Sequence, residues 1–154
     1  MEFDFGKALN QGIGAANVTA VLNAEIEQII TEVSRQVYQA TDQQITIKIE
    51  SRSNGMAAVA QMFSVKGSSI LKQVHFVVAS NMTLQRSEDL AVWERSPTAY
   101  PCKLIYSDQT AYCNDKASLE KQFVHLLSHP ETGKKMLKLL APPMQISGET
   151  DGAE

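Results

Sequence analysis

The sequence predicts a single α+β domain in which a long N-terminal amphipathic helix and shorter C-terminal helices pack on one face of an antiparallel sheet. Three observations predict this class. Apolar residues first recur every three or four positions, then alternate along several short segments, and finally return to the helical spacing. Because the strand-like segments follow one another without an intervening helix, we expect antiparallel pairing in a sheet of about four to six strands.

Length and charge restrict the domain organisation and the class of partner. The 154 residues suffice for one domain with its own core. We assign residues 1–141 to that domain and residues 142–154, which carry acidic residues and no Lys or Arg, to a disordered acidic tail. The net charge of −3 implies no broad basic surface, which argues against a nucleic-acid partner. Without a signal-peptide pattern or a membrane-spanning apolar run, the expected location is the cytoplasm and no membrane contact is expected.

Residues 17–41 carry the strongest helical pattern, with Asn17 as the expected N-cap. The apolar positions form one stripe about 120° wide. They are Val18, Leu22, Ile26, Ile29, Ile30, Val33 and Val37. Such a stripe can pack on the sheet or on a second copy, so a homo-oligomer through the 17–41 helix is compatible with it. Three glycines argue against a continuous helix in residues 1–14, where Phe3 and Phe5 can dock on the core.

The spacing of the apolar residues then changes from three or four positions to two, which is the spacing of a strand. Ile45, Ile47 and Ile49 alternate with polar residues, and the Asn54-Gly55 dipeptide follows as a turn. Residues 57–67 are therefore interpreted as the second strand of a hairpin.

The remaining strands are predicted from short β-branched and aromatic runs. Residues 69–80 form a third strand, and the polar residues 81–90 form a loop. Residues 91–96 form a short strand that Pro97 ends. Residues 102–114 then form a hairpin whose turn is Ser107-Asp108.

Two helices are predicted near the end of the chain. Asp115 caps a helix in which Leu119, Phe123, Leu126 and Leu127 share one face. A capping box from Ser128 to Glu131 then opens a second, shorter helix.

Both cysteines, Cys102 and Cys113, lie in the predicted hairpin, and its register decides their chemistry. A two-residue turn at Ser107-Asp108 places them directly opposite each other, where a disulfide is geometrically possible. A turn one residue later makes them diagonal neighbours, and a three-residue loop places them on opposite faces. We interpret them as packing residues, since a free cysteine usually behaves as a small apolar side chain.

The sequence contains no motif that indicates a metal or a cofactor, and neither is expected. His125 and His129 are four residues apart, but they lack the intervening glutamate of a metalloprotease helix, and Pro130 interrupts the turn.

Two functional hypotheses remain. The first is a small non-catalytic protein-binding module of inhibitor, immunity, adaptor or accessory type, bacterial or phage in origin, with one protein partner. The aromatic residues that dominate interfaces cluster between residues 93 and 112. The predicted binding residues are therefore Trp93, Tyr100, Tyr106 and Tyr112. The second hypothesis is a small enzyme or ligand-binding domain with a pocket near His75, Cys102 and Cys113.

Overall fold

The computed structural model describes residues 2–53 and 73–141, and it confirms the α+β fold. Within these residues five strands form one antiparallel sheet in the order β1-β2-β3-β4-β5. The elements are α1 (Phe5–Ala40), β1 (Thr46–Ser53), β2 (Gln73–Asn81), β3 (Arg86–Ser96), β4 (Ala99–Tyr106), β5 (Gln109–Cys113), α2 (Lys116–Ser128) and α3 (Pro130–Leu139).

The first helix is much longer than its pattern predicts, because it begins at Phe5 rather than at residue 17. The Asp4 carboxylate, not Asn17, caps it by accepting a hydrogen bond of 2.8 Å from the backbone N–H of Lys7. Each glycine costs a helix about 1 kcal/mol, but extending a formed helix adds one hydrogen bond per residue. Phe3 and Phe5 are exposed and do not dock on the core.

The core lies between the sheet and the three helices, and α3 contributes Leu139 to it. The C-terminal half of α1 buries Ile26, Ile29, Ile30 and Val37, so this part of the predicted stripe packs within the domain. The sheet contributes Ile47, Val77, Ala91, Trp93, Leu104, Cys102 and Cys113. The face predicted for α2 is confirmed, with Leu119, Phe123 and Leu126 buried and Leu127 partly buried.

The β4–β5 hairpin has the two-residue turn at Ser107-Asp108. Both turn residues have positive φ, at 51° and 62°, which is the conformation that matches the twist of the flanking strands. Consequently Cys102 pairs directly with Cys113.

Two further predicted boundaries are wrong. Residues 86–90, predicted as a loop, are the first residues of β3, and Arg86 pairs with Asn81 across a short turn. Polar side chains are tolerated at the start of this strand because its first residues are exposed. The N-cap of α3 is His129 rather than Ser128, since His129 Nδ1 accepts a 3.1 Å hydrogen bond from the backbone N–H of Glu131. The Ser128 hydroxyl donates instead to the carbonyl of His125.

Several predictions lie outside the described residues. These are the turn at Asn54-Gly55, the strand at 57–67, the first four residues (69–72) of the third strand and the tail at 142–154. None of the helices in the described part of the chain combines the length and the apolar character that a membrane span requires.

Candidate interaction surface

The four aromatic residues predicted to bind a partner do not form one surface. Trp93 is only 2% exposed and stacks on Phe123, with 6.3 Å between the ring centroids. Tyr106 is also buried, and His129 approaches its ring edge-on. Tyr100 is partly buried, whereas Tyr112 is 61% exposed. Of the four, Tyr112 is therefore the residue that a partner can reach most easily.

Tyr100 connects the sheet to α1. Its hydroxyl donates a hydrogen bond of 2.9 Å to the carboxylate of Glu25. Burial, together with this acceptor and its negative charge, raises the pKa of the Tyr100 phenol well above its usual range. The side chain therefore remains a neutral donor that holds α1 against β4.

The sheet face that points away from α1 carries a small apolar row. Phe76, Val92 and Ile105 are neighbours in register across three strands, and all three are partly buried. The Arg52 guanidinium lies over the Phe76 ring at 4.5 Å and binds both carboxylate oxygens of Asp89, at 2.6 and 2.8 Å. The pKa of Asp89 is lowered by this pairing. Because Arg52 and Asp89 satisfy each other, the pair leaves little charge to attract a partner.

A cleft of about 320 Å³ opens beside this row, between α3 and the strands β3 and β4. Lys135 Nζ spans it and donates a 2.6 Å hydrogen bond to the carbonyl of Asp89. His129, also in its lining, uses Nδ1 as the cap of α3. The polar groups of the cleft thus serve to attach α3 to the sheet.

The residues of the alternative pocket are not brought together. His75 lines a groove of about 710 Å³ between α1 and β1, where its Nδ1 is 2.6 Å from the Ser51 hydroxyl. Neither Cys102 nor Cys113 lines that groove, and both have no exposed surface. The three side chains therefore cannot act on one ligand in this conformation.

The cysteines are free thiols although they are directly opposed. Counting outward from the closing pair Tyr106–Gln109, alternation makes Cys102–Cys113 a hydrogen-bonded pair, whose Cβ atoms lie about 5.5 Å apart. A disulfide needs roughly 3.8 Å between these atoms. Burial is the main reason that the pKa of each thiol rises to about 11. Because the thiolate is the reactive form, this environment favours a packing role.

We expect both cysteines to resist an aromatic disulfide reagent at pH 8 in the folded protein and to react fully in denaturant. Their complete burial and raised pKa values both suppress thiolate formation. The absorbance of the aromatic thiolate that the reagent releases measures how many cysteines have reacted. Modification of the folded protein as fast as that of the unfolded protein would contradict the packing role.

The two C-terminal histidines do not form a metal-ligand pair. His125 is exposed on α2, whereas the Nδ1 atom of His129 is occupied by the backbone of α3. Among the described residues, no three His, Cys, Asp or Glu side chains converge in a way that could hold a metal ion.

The most prominent exposed apolar feature is the N-terminal half of α1. Residues 5–21, here called the arm, extend for about 25 Å, and each of them except Thr19 is exposed. The arm and the residues just before it carry six large apolar side chains that are between 51% and 75% exposed. They are Phe3, Phe5, Leu9, Ile13, Val18 and Val21.

The arm is amphipathic in its own right. At 100° per residue, Phe5, Leu9 and Ile13 form one ridge within an arc of about 80°. A row of small residues lies beside this ridge, at the same four-residue spacing. The row is Ala8, Gly12, Ala16 and Ala20. Lys7 and Asn10 lie on the other side of the helix.

The arm is also uncharged over most of its length. No Asp, Glu, Lys or Arg occurs from residue 8 to residue 24. The helical pattern of residues 17–41 does not include this surface, because the glycines before it favour a break. The spacing of four between Phe5, Leu9 and Ile13, together with the absence of charge, is the sequence signal that identifies it.

Three contacts fix the base of the arm to the sheet. The Arg95 guanidinium donates to Asn23 Oδ1 and to Glu27 Oε2, both at 3.1 Å. The Tyr100 hydroxyl binds Glu25 between them. The direction in which the arm leaves the domain is therefore set by side chains of β3 and β4.

These features define an α+β protein with a five-stranded antiparallel sheet in its described residues and a projecting helical arm. No protein-family model matches the chain, and neither the curated proteins nor the solved structures contain a significant match. A functional proposal therefore depends on the arm and the sheet themselves.

Proposed function

We propose that this chain is a non-catalytic protein-binding module and that its arm is the docking surface. The observation that carries the proposal is the exposed apolar ridge of Phe5, Leu9 and Ile13. With roughly 100 Å² exposed by each of its three large side chains, the ridge and the small residues beside it present about 400–500 Å² of apolar surface. A contiguous exposed apolar area of this size matches the largest patch of a typical monomer, which is often an interaction site.

A bound partner would make the helix of the arm more stable. An isolated helix of about 17 residues is only marginally stable in water, and Gly6, Gly12 and Gly14 weaken it further. A protein that covers the ridge would stabilise the helix and remove its apolar side chains from water. The absence of charge between residues 8 and 24 favours an apolar helical surface as the counterpart.

The folded domain contributes rigidity at the base of the arm. Arg95 and Tyr100 attach residues 23–27 of α1 to the sheet. A fixed direction lowers the entropy lost when the ridge binds its partner. This arrangement supports binding rather than catalysis, because it orders a surface and no reacting group.

The double substitution Leu9→Glu with Ile13→Glu is expected to abolish binding through the arm, because it introduces two charges into the ridge. The measurement has two stages. Proteins captured by the tagged chain from its native cells are first identified, and each is then purified and its affinity for the chain measured. The wild type is expected to bind at least tenfold more tightly than the variant.

The matched control is Asn10→Glu with Gln11→Glu, which adds the same charge to exposed positions of the arm away from its ridge. This variant is expected to bind as the wild type does. Equal binding by the wild type and the ridge variant would contradict the assignment of the arm as the docking surface.

A further inference from the structure

We propose that the partner of the arm is the arm of a second copy of this chain, in an antiparallel homodimer whose helices cross near Gly12. The inference rests on the proposed function, since it names the protein that the docking surface binds.

Self-complementarity is the first argument. The ridge of Phe5, Leu9 and Ile13 stands beside a groove formed by small residues at the same spacing. When two helices pack with their four-residue rows interdigitated, the axes cross at about −50°. A two-fold axis then places the ridge of each copy in the groove of the other, as an isologous interface requires. Gly12 permits the closest approach because it has no side chain, and the space around it is open in the monomer.

The direction of the ridge is the second argument. On the helical wheel the ridge centre is turned by roughly 110° from the centre of the stripe that α1 buries against the sheet. The same domain therefore cannot cover both surfaces of one straight helix. A second molecule can reach the ridge without displacing Ile26 or Ile30 from the core.

Charge and size favour the antiparallel orientation. A parallel pair would bring Glu2 and Asp4 of both copies together at the tips of the arms, whereas an antiparallel pair separates them and opposes the helix dipoles. The domains begin about ten residues, or roughly 15 Å, from Gly12. Parallel arms would hold the two domains only about 15 Å apart, which is less than the roughly 30 Å diameter of a domain of this size.

The available area fits a weak dimer. Burying the ridge and the row of small residues, about 400–500 Å² on each copy, removes about 800–1,000 Å² in total, which is the size of a weak interface. We therefore expect a dissociation constant in the micromolar range, and a dimer at the concentrations used for sedimentation.

Sedimentation equilibrium of the purified full chain tests the proposal. The wild type at about 100 µM is expected to show about twice the monomer mass of 16.9 kDa. Gly12→Leu fills the groove and is expected to raise the dissociation constant at least tenfold. Gly14→Leu makes the same substitution at a site equally open in the monomer but on the side of Lys7 and Asn10, and it is expected to change the constant less than threefold. Circular dichroism of both variants serves as the control that the helix is retained.

Cross-linking provides a second readout at the same positions. Gly12→Cys lies at the two-fold crossing and is expected to form a covalent dimer under mild oxidation, whereas Gly14→Cys is expected to remain monomeric. The native cysteines are buried and do not interfere. Equal cross-linking by both variants would overturn the crossing.

The outcomes separate the inference from the function on which it rests. A monomeric wild type at about 100 µM overturns the homodimer. The binding function then stands if the Leu9→Glu and Ile13→Glu variant loses a different, identified protein. Unchanged self-association and unchanged protein binding in that variant would overturn both.

Discussion

Replacing Trp93 with alanine is expected to lower the free energy of unfolding by about 3–5 kcal/mol. The side chain is 2% exposed, stacks on Phe123 and lies opposite Leu104 in the neighbouring strand. Truncation to alanine removes this apolar burial and leaves a cavity between the sheet and α2. Urea unfolding followed by circular dichroism at pH 7.5 measures the change.

Tyr112→Ala is the matched control, because it also truncates an aromatic residue of the same sheet. Tyr112 is 61% exposed, and the Lys103 ammonium group lies 5.7 Å from its ring centroid. An exposed cation–π contact contributes about 0.5–1 kcal/mol, so the expected loss is no larger. Equal losses in the two variants, or a loss below about 1 kcal/mol in Trp93→Ala, would contradict the assignment of Trp93 to the core.

The contrast between these two residues shows why the aromatic cluster could not be interpreted from sequence alone. Trp93 and Tyr112 lie on opposite faces of the sheet, and the face that is buried depends on where the helices pack. Alternation along one strand shows which residues share a face, but not which face the core occupies. The possible registers of the β4–β5 hairpin, in contrast, follow from the sequence, because they depend only on the residues of a short turn.

The start of α1 illustrates a different kind of failure. Gly12 and Gly14 lower the local helix propensity, but the cooperative extension of a helix from its buried half outweighs this cost. The contacts at the base of the arm could not be predicted from the sequence either. Arg95 binds residues 68 and 72 positions earlier in the chain, and no sequence period reports such a separation.

The buried thiols are expected to make the protein less stable as the pH rises from about 9 to about 11. An unfolded thiol has a pKa near 9, whereas burial raises the pKa of Cys102 and of Cys113 to about 11. Between these values the unfolded chain has lost protons that the folded chain retains, so the free energy of unfolding falls with increasing pH. The stability present below pH 9 decreases by about 2–3 kcal/mol for each thiol by pH 11.

Urea unfolding at pH 8.0 and pH 10.5 measures this loss, and the double variant Cys102→Ala with Cys113→Ala isolates it. Tyrosines also titrate in this range, and burial raises the pKa of Tyr106, so the wild type alone would not identify the group responsible. The variant starts from a lower stability at pH 8.0 because two buried side chains are truncated, but its decrease with pH is expected to be smaller than that of the wild type. Parallel decreases in the two proteins would mean that the thiols ionise without cost in the folded state, and that Cys102 and Cys113 are more accessible to water than their positions in the core imply.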